Sequence, residues 1–177
     1  MVANTYTKEM LVTTYLEMTS PHQFKPALLN PPNVQIKKMQ DADVRFYRYL
    51  YREVGEKWFW RDRLLMTNTE LRHELEKSTT HVYVLYVSGN PAGYIELSNN
   101  TGTVEVAYFG LREAFHGQGL GKYLLSYGVQ VAWEELGAHR IWLHTCNLDS
   151  PYALTNYQKR GFNVYLRKSE PMPERYQ

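Results

Sequence analysis

The stretch Phe115-His116-Gly117-Gln118-Gly119-Leu120-Gly121-Lys122 joins a strand-like run, Thr103 to Leu111, to a periodic segment from about Gly119 to Leu136 that reads as a helix. Glycine at 117, 119 and 121 lets the backbone N–H groups of a helix start face outward without Cβ obstruction, and the helix dipole adds positive potential there. Such a turn suits a phosphate or pyrophosphate. Two phosphate loops of other design fail on neighbouring residues. A Walker A loop needs Gly five residues before Gly121 and Ser or Thr after the lysine, where His116 and Tyr123 stand. A dinucleotide fingerprint needs a third Gly where Lys122 stands, and an acidic residue at the end of the next strand, which here ends His144-Thr145-Cys146.

His116, Gly119 and Gly121 occupy the three fixed positions of Q/R-x-x-G-x-G/A, and the loop resembles the coenzyme A loop of the GNAT superfamily of N-acetyltransferases. Histidine at the first position is a departure, since it donates one hydrogen bond and lacks the reach and fixed charge of arginine. A second resemblance lies downstream. Ser150-Pro151-Tyr152-Ala153-Leu154-Thr155-Asn156-Tyr157-Gln158-Lys159-Arg160-Gly161-Phe162 follows N-x-x-A-x-x-x-Y-x-K/R-x-G-F, with Ser150 where Asn is usual. The two motifs stand in the family's order, separated by a helix and a strand.

The resemblance implies an acetyl-CoA-dependent N-acetyltransferase that moves an acetyl group to a primary amine of a small-molecule or protein acceptor by direct attack in a ternary complex. Phe109, Gly110 and Leu111 would pair with the pantetheine arm through their backbone, and His116, Gly117, Gln118, Gly119, Leu120, Gly121 and Lys122 would hold the pyrophosphate. Ser150 and Asn156 belong to the same implied coenzyme site. Tyr157 matches the tyrosine that protonates the leaving thiolate, although a tyrosine here also serves to pack the last helix on the sheet. Acetyl-CoA is the only co-substrate implied, and no metal. A second function remains open: a non-catalytic module that senses or binds acyl-CoA on the same fold.

The base is approached through register. If Asn99 to Gly102 form a four-residue turn, Ser98 pairs with Thr103 and Glu96 lies opposite Glu105, so that two carboxylates share one site. Val104, Val106 and Tyr108 would line one face of that strand, with Ala107 and Phe109 beside Glu105 on the other. Burial and a like charge both raise a carboxyl pKa, which suits a general base. Glu105 also lies eleven residues before His116, the spacing of the catalytic glutamate in the histone-acetyltransferase branch of the family. A cross-strand pair neutralised by Arg or Lys is the structural alternative. His144, with an ordinary pKa near ~6.5, is a further candidate. The resemblance turns Thr145 rather than His144 toward the acceptor, so His144 reads as a core histidine and Cys146 as a small buried residue.

Trp58 and Trp60 stand two apart in Trp58-Phe59-Trp60, a spacing that cannot place both on one helix face. One is expected to line the acceptor side and the other to pack on the core, favouring an aromatic or apolar acceptor over a basic protein tail.

Composition agrees with one domain having a full core: 177 residues, 20 basic against 18 acidic, and no long run of one sign. Nothing in it marks a nucleic-acid binder. A single cysteine excludes an internal disulfide, the six histidines lack ligand spacing, and no apolar run approaches membrane-spanning length. Residues 1 to 5 lack a basic region followed by an apolar stretch, so the expected location is cytoplasmic, away from the membrane.

Along the chain, residues 6 to 18 read as a strand and the prolines at 21, 26, 31 and 32 as an extended connector. A strand at 34 to 39 precedes a helix capped by Asp41, with Val44, Tyr47, Leu50, Tyr51 and Val54 on one stripe and Gly55 at its end. Thr67 to Glu70 has capping-box spacing. Strands follow at 80 to 87, 92 to 98 and 103 to 111, then the long helix, a strand at 140 to 146, a helix opened by Pro151, and a strand at 162 to 167. The fold class is α/β (α+β): a mixed, mostly antiparallel sheet flanked by helices, with a GNAT core at 34 to 167. Residues 1 to 33 are expected to add a strand at the sheet edge, where it would be free to pair two copies into a homodimer.

Overall fold

The computed structural model describes residues 10–29 and 31–176. In chain order it comprises β1 (Met10–Met18), β2 (Val34–Lys38), α1 (Val44–Gly55), α2 (Asp62–Leu65), α3 (Asn68–Glu76), β3 (Thr80–Val87), β4 (Asn90–Asn100), β5 (Thr103–Leu111), α4 (Leu120–Glu134), β6 (Arg140–Cys146), α5 (Ala153–Lys159) and β7 (Asn163–Pro171). The expected order holds, with α2 added. Of the strand expected at 6 to 18, residues 6 to 9 lie outside the described residues.

The strands form one seven-stranded sheet in the order β2-β3-β4-β5-β6-β1-β7, antiparallel throughout except for β5 beside β6. Each face carries its own core. Leu97, Val104, Ile141 and Leu143 pack with Leu124 and Val129 of α4 and Phe162 on one side. Val82, Val84 and Tyr94 pack with Tyr47, Leu50, Tyr51 and Val54 of α1 and Leu71 of α3 on the other. The stripe expected on α1 is therefore the buried one. Its cap is Asp43 rather than Asp41: the Asp43 carboxylate accepts from the Phe46 N–H at 2.9 Å, and Val44 begins the helix. The Thr67/Glu70 capping box forms at the start of α3.

The first strand is not at the edge. β1 pairs with β6 from Thr13↔Cys146 to Met18↔Ile141 and with β7 from Met10↔Pro171 to Glu17↔Asn163. Both rows of its backbone groups are used inside the sheet, which removes the ground for pairing two copies through it. The reason is burial: Leu16 and Met18 are fully enclosed, which an edge position does not provide. The edges are β2 and β7. From the end of β1 the connector crosses the helical layer, where the Lys25 N–H donates to Arg160 O at 2.9 Å and the Ala27 N–H to Ser126 Oγ at 2.9 Å.

The connector explains one motif residue. Gly161 has φ +106°, and a Cβ there would overlap the carbonyl oxygen of Gln23. Replacing Gly161 by Ala is expected to cost on the order of 2 kcal/mol or more, from backbone strain plus displacement of the connector. Denaturant unfolding of the purified variant measures it.

Candidate active site

β5 and β6 pair in parallel at only three positions, Thr103↔Arg140, Val104↔Ile141 and Glu105↔Trp142. Beyond Glu105 they part, and the gap is a cleft of about 960 Å³ with β5 from Glu105 to Leu111 along one wall and His144, Cys146 and the following loop along the other. Backbone N–H and C=O groups on that side of β5 have no strand to pair with, so they are available to an extended ligand. Six residues of strand separate the two ends of the cleft, roughly 20 Å at ~3.3 Å per residue.

At one end lies the glycine turn. Gly117 and Gly119 have φ +76° and +75°, and Gly119 is the N-cap of α4 with no side chain satisfying the first N–H groups of that 15-residue helix. The N-terminal donors of the helix are thus left to the cleft, beside Lys122, a geometry made for an anion. Of the residues expected here, His116, Gly117, Gly119, Leu120, Gly121 and Lys122 line the cleft, as do Phe109, Gly110, Leu111, Ser150 and Asn156, whereas Gln118 does not. The His116 side chain has a local task. Its Nε2 donates to the carbonyl of Leu111 at 3.0 Å, tying the end of β5 to the turn. The Ser150 hydroxyl accepts from the Tyr152 N–H at 3.3 Å near the start of α5.

At the other end is Glu105, and its surroundings correct the expected register. The hairpin is a two-residue turn, Thr101 (φ 49°) and Gly102 (φ 84°), braced by the Asn99 side-chain oxygen accepting from the Gly102 N–H at 2.9 Å. Both central residues have positive φ, which matches strand twist and closes a shorter loop than the polar run suggests. Asn100 therefore pairs with Thr103, and Ser98 rather than Glu96 faces Glu105. The register then shifts between Leu97↔Val106 and Glu96↔Tyr108, leaving Ala107 as a bulge. The bulge turns Tyr108 onto the face of Glu105 and Phe109 onto the opposite one, reversing their expected sides.

Glu96 is not in the cleft. Only 1% exposed, it takes Arg63 Nη2 on Oε1 at 2.6 Å and the Tyr47 hydroxyl on Oε2. Both oxygens are committed, and a base needs one free, so the expected catalytic role of Glu96 is withdrawn. Glu96 acts on Glu105 at a distance. Burial is the main force lifting the Glu105 carboxyl above the usual range; the Glu96 charge adds to it and the Arg63 charge opposes it.

His144 faces Glu105, with Nε2 3.9 Å from Oε1. Alternation along β6 places His144 and Cys146 on the cleft side and buries Ile141, Leu143 and Thr145. The expectation for His144 and Thr145 is thus reversed. Thr145 is buried and its hydroxyl donates to Asp149 Oδ2 at 2.6 Å. Desolvation lowers the His144 pKa against the raising effect of Asp149 and Asp62, so the imidazole is neutral at pH 7.

Tyr157 lines the cleft from α5, set edge-on against Phe109 at 6.1 Å and Phe162 at 6.2 Å between centroids. Burial, and then the Asp149 charge, push its hydroxyl pKa up, so it stays a proton donor. Both tryptophans border the cleft, rather than one. The left-handed Phe59 (φ 62°) lets the chain reverse there, and the Trp60 ring folds over Gly55, where a Cβ would overlap it, to meet Tyr51 at 5.3 Å and Tyr108 at 5.3 Å. Arg63, Asp62, Tyr108 and Tyr176 also line it, and none was expected. Arg63 gave no signal because its role depends on Glu96, 33 residues away.

A family model described as Acetyltransferase (GNAT) family matches residues 39–162. Solved structures similar to the chain include a GCN5-related N-acetyltransferase from Sphaerobacter thermophilus, with TM-score 0.70 and 16% identity over 90% of this chain and 50% of that one. An aminoglycoside acetyltransferase from an uncultured soil metagenomic sample, in complex with trehalose, has TM-score 0.60 and 16% identity over 72% and 87%. The ribosomal-protein-S18-alanine N-acetyltransferase of Escherichia coli has TM-score 0.58 and 14% identity over 73% and 77%. At these identities the likeness is one of fold. The chain spans 50% to 60% of the length of several such relatives. A comparison with curated proteins gives no match.

Removing the Glu96 carboxylate leaves the buried Arg63 with only the longer 3.5 Å pair to Glu74, and Glu96→Ala is expected to lose about 3 kcal/mol of stability. Tyr47→Phe, which deletes one donor to the same carboxylate, should lose about 1–2 kcal/mol. Urea melts of the two variants test this order. Matched by the family model across residues 39–162 and alike in fold to a solved GCN5-related N-acetyltransferase, the chain belongs to the GNAT family of acetyltransferases.

Proposed function

We propose that the chain transfers an acetyl group from acetyl-CoA to the nitrogen of a primary amine, in a ternary complex without an acyl-enzyme. The observation that carries this reading is the cleft itself, with uncapped helix donors at one end and a desolvated carboxylate beside a neutral imidazole at the other. The residues fit coenzyme A: the glycine turn has the backbone donors for a pyrophosphate, and the unpaired side of β5 has those for an extended amide-bearing arm. Bound there, acetyl-CoA supplies a thioester carbonyl open to attack.

The chain's residues manage two protons. An acceptor amine enters as an ammonium of pKa near ~10 if lysine-like and must lose a proton before its lone pair can attack. Glu105 takes that proton, directly or through a water; His144, neutral and 3.9 Å away, receives it in relay or holds the water. As the C–N bond forms and the C–S bond breaks, the Tyr157 hydroxyl gives its proton to the departing sulfur, and the second proton shed by the new amide nitrogen restores the tyrosine through water. Cys146 is not needed as a nucleophile.

Glu105→Gln is expected to lower turnover about a hundredfold, as loss of a general base typically does, with acetyl-CoA affinity unchanged. Its stability should move the other way. A carboxyl whose folded pKa is raised stabilises the fold below its unfolded pKa and forfeits that contribution as pH rises through the folded value. At pH 7 the Gln variant should therefore melt at a higher temperature than the wild type, and the difference should vanish below about pH 4. Thermal melts at the two pH values measure it.

Gly119→Val requires a β-branched residue at φ +75° against the Lys122 side chain, and calorimetry should show acetyl-CoA binding weakened at least about tenfold. Thiol release from acetyl-CoA with a panel of amines tests the reaction. Tight binding with no release for any amine favours an acyl-CoA-binding module instead.

A further inference from the structure

Resting on the acetyl-transfer reading above, we propose that the Glu105 end of the cleft is a subsite for a small primary monoamine carried on a flat aromatic ring. The cleft walls carry aromatic rings: Trp58, Phe59 and Trp60 from the turn after α1, Tyr108 from the β5 bulge 5.3 Å from Trp60, and Tyr176 from the 3-10 turn Glu174–Tyr176. That turn is tied across the cleft mouth, since Arg175 Nε lies 3.2 Å from Asp62 Oδ1 and Asp62 is itself a lining residue. Tyr176 therefore faces the same space as the tryptophans and limits the acceptor's length. Rings stack offset or edge-on against such walls, and an ammonium entering among them is also attracted by their faces.

Charge narrows the class further. Of the acidic side chains that line the cleft, Asp62 is paired with Arg175, and Asp149 Oδ2 accepts from the Thr145 hydroxyl at 2.6 Å and the Cys146 N–H at 3.0 Å. Glu105 is the carboxylate left facing the acceptor, with the neutral His144 imidazole 3.9 Å away. Arg63, also lining the cleft with its guanidinium 5.3 Å from the Tyr108 centroid, is committed to Glu96 at 2.6 Å and Glu74 at 3.5 Å and does not neutralise Glu105. One free carboxylate matches a single ammonium, not a linear polyamine or a lysine-rich peptide, whose several cations call for several carboxylates.

The test measures thiol release from acetyl-CoA with 2-phenylethylamine, spermidine and a lysine-containing peptide, using the full chain. The expected result is a kcat/KM for 2-phenylethylamine at least about tenfold above the other two, by analogy with the gain from ring contacts. Trp58→Ala and Tyr176→Ala should each raise its KM about three- to tenfold, with little change in kcat and none in the acetyl-CoA Kd from calorimetry. Equal or better use of spermidine or the peptide overturns the inference and leaves acetyl transfer standing. Unchanged KM in both variants overturns it as well. Should acetyl-CoA bind while no amine turns over, acetyl transfer falls, and the subsite is decided by tryptophan quenching of the acetyl-CoA complex: saturation by 2-phenylethylamine upholds it and its absence overturns it. Failure to bind acetyl-CoA overturns both readings.

Discussion

The parting of β5 and β6 after three parallel pairs is the constraint on which the cleft depends. Two neighbouring strands in a sheet normally spend their backbone donors and acceptors on each other. Here the bulge at Ala107 adds twist to β5, while β6 continues its pairing with β1 out to Thr13↔Cys146. β6 is thus held from its far side and does not need β5. The sheet stays continuous through the three shared pairs and through β1, and the opening between the strands costs no core: Val104, Val106, Ile141 and Leu143 remain buried against the α4 layer.

The same bulge connects architecture to electrostatics. By bringing Tyr108 round to the face of Glu105, it places an aromatic ring over the Arg63 guanidinium, which is paired with Glu96 and, at 3.5 Å, with Glu74. Burial alone would lower the arginine's pKa, yet the Glu96 carboxylate beside it outweighs that effect, so the charge is held firmly. A buried ion pair of this kind is a weak source of net stability but is costly to break. Its value lies in what it fixes. The turn bearing Trp58 to Arg63 is anchored to the sheet centre, and Glu105 senses two opposed charges, of which the acidic one has the stronger effect.

Much of this was legible in the residues. The periodicity of α1 and α4, the two glycine-bearing motifs and the run Thr103 to Leu111 each follow from local rules that the tertiary structure leaves intact. What was not legible depends on one-residue geometry or on distant partners. Thr101 accepting a positive φ shortened the hairpin, and because side chains alternate with period two, the two-residue slip kept Glu96 on the face of Glu105 while giving Glu105 a different partner. The Ala107 bulge has no composition cue at all. Nor has the choice between an edge and an interior place for β1, since both ask for alternating residues, and only the complete burial of Leu16 and Met18 decides it.

The interior place of β1 also bears on how the chain reaches this structure. Val12 and Asn147 are hydrogen-bonded across 135 residues, and β1 finds its second neighbour only in β7, later still. A strand with such remote partners gains nothing from early collapse, because the entropy of closing so long a loop is spent before any ladder forms. The β3-β4-β5 hairpins have local pairings and share a core with α1 and α3, and are suited to form first. During synthesis β1 must wait, unpaired and rich in β-formers, until β6 and β7 have left the ribosome. The half of the sheet that builds the His144 wall would then be the last to assemble and the most exposed to misassociation on the way.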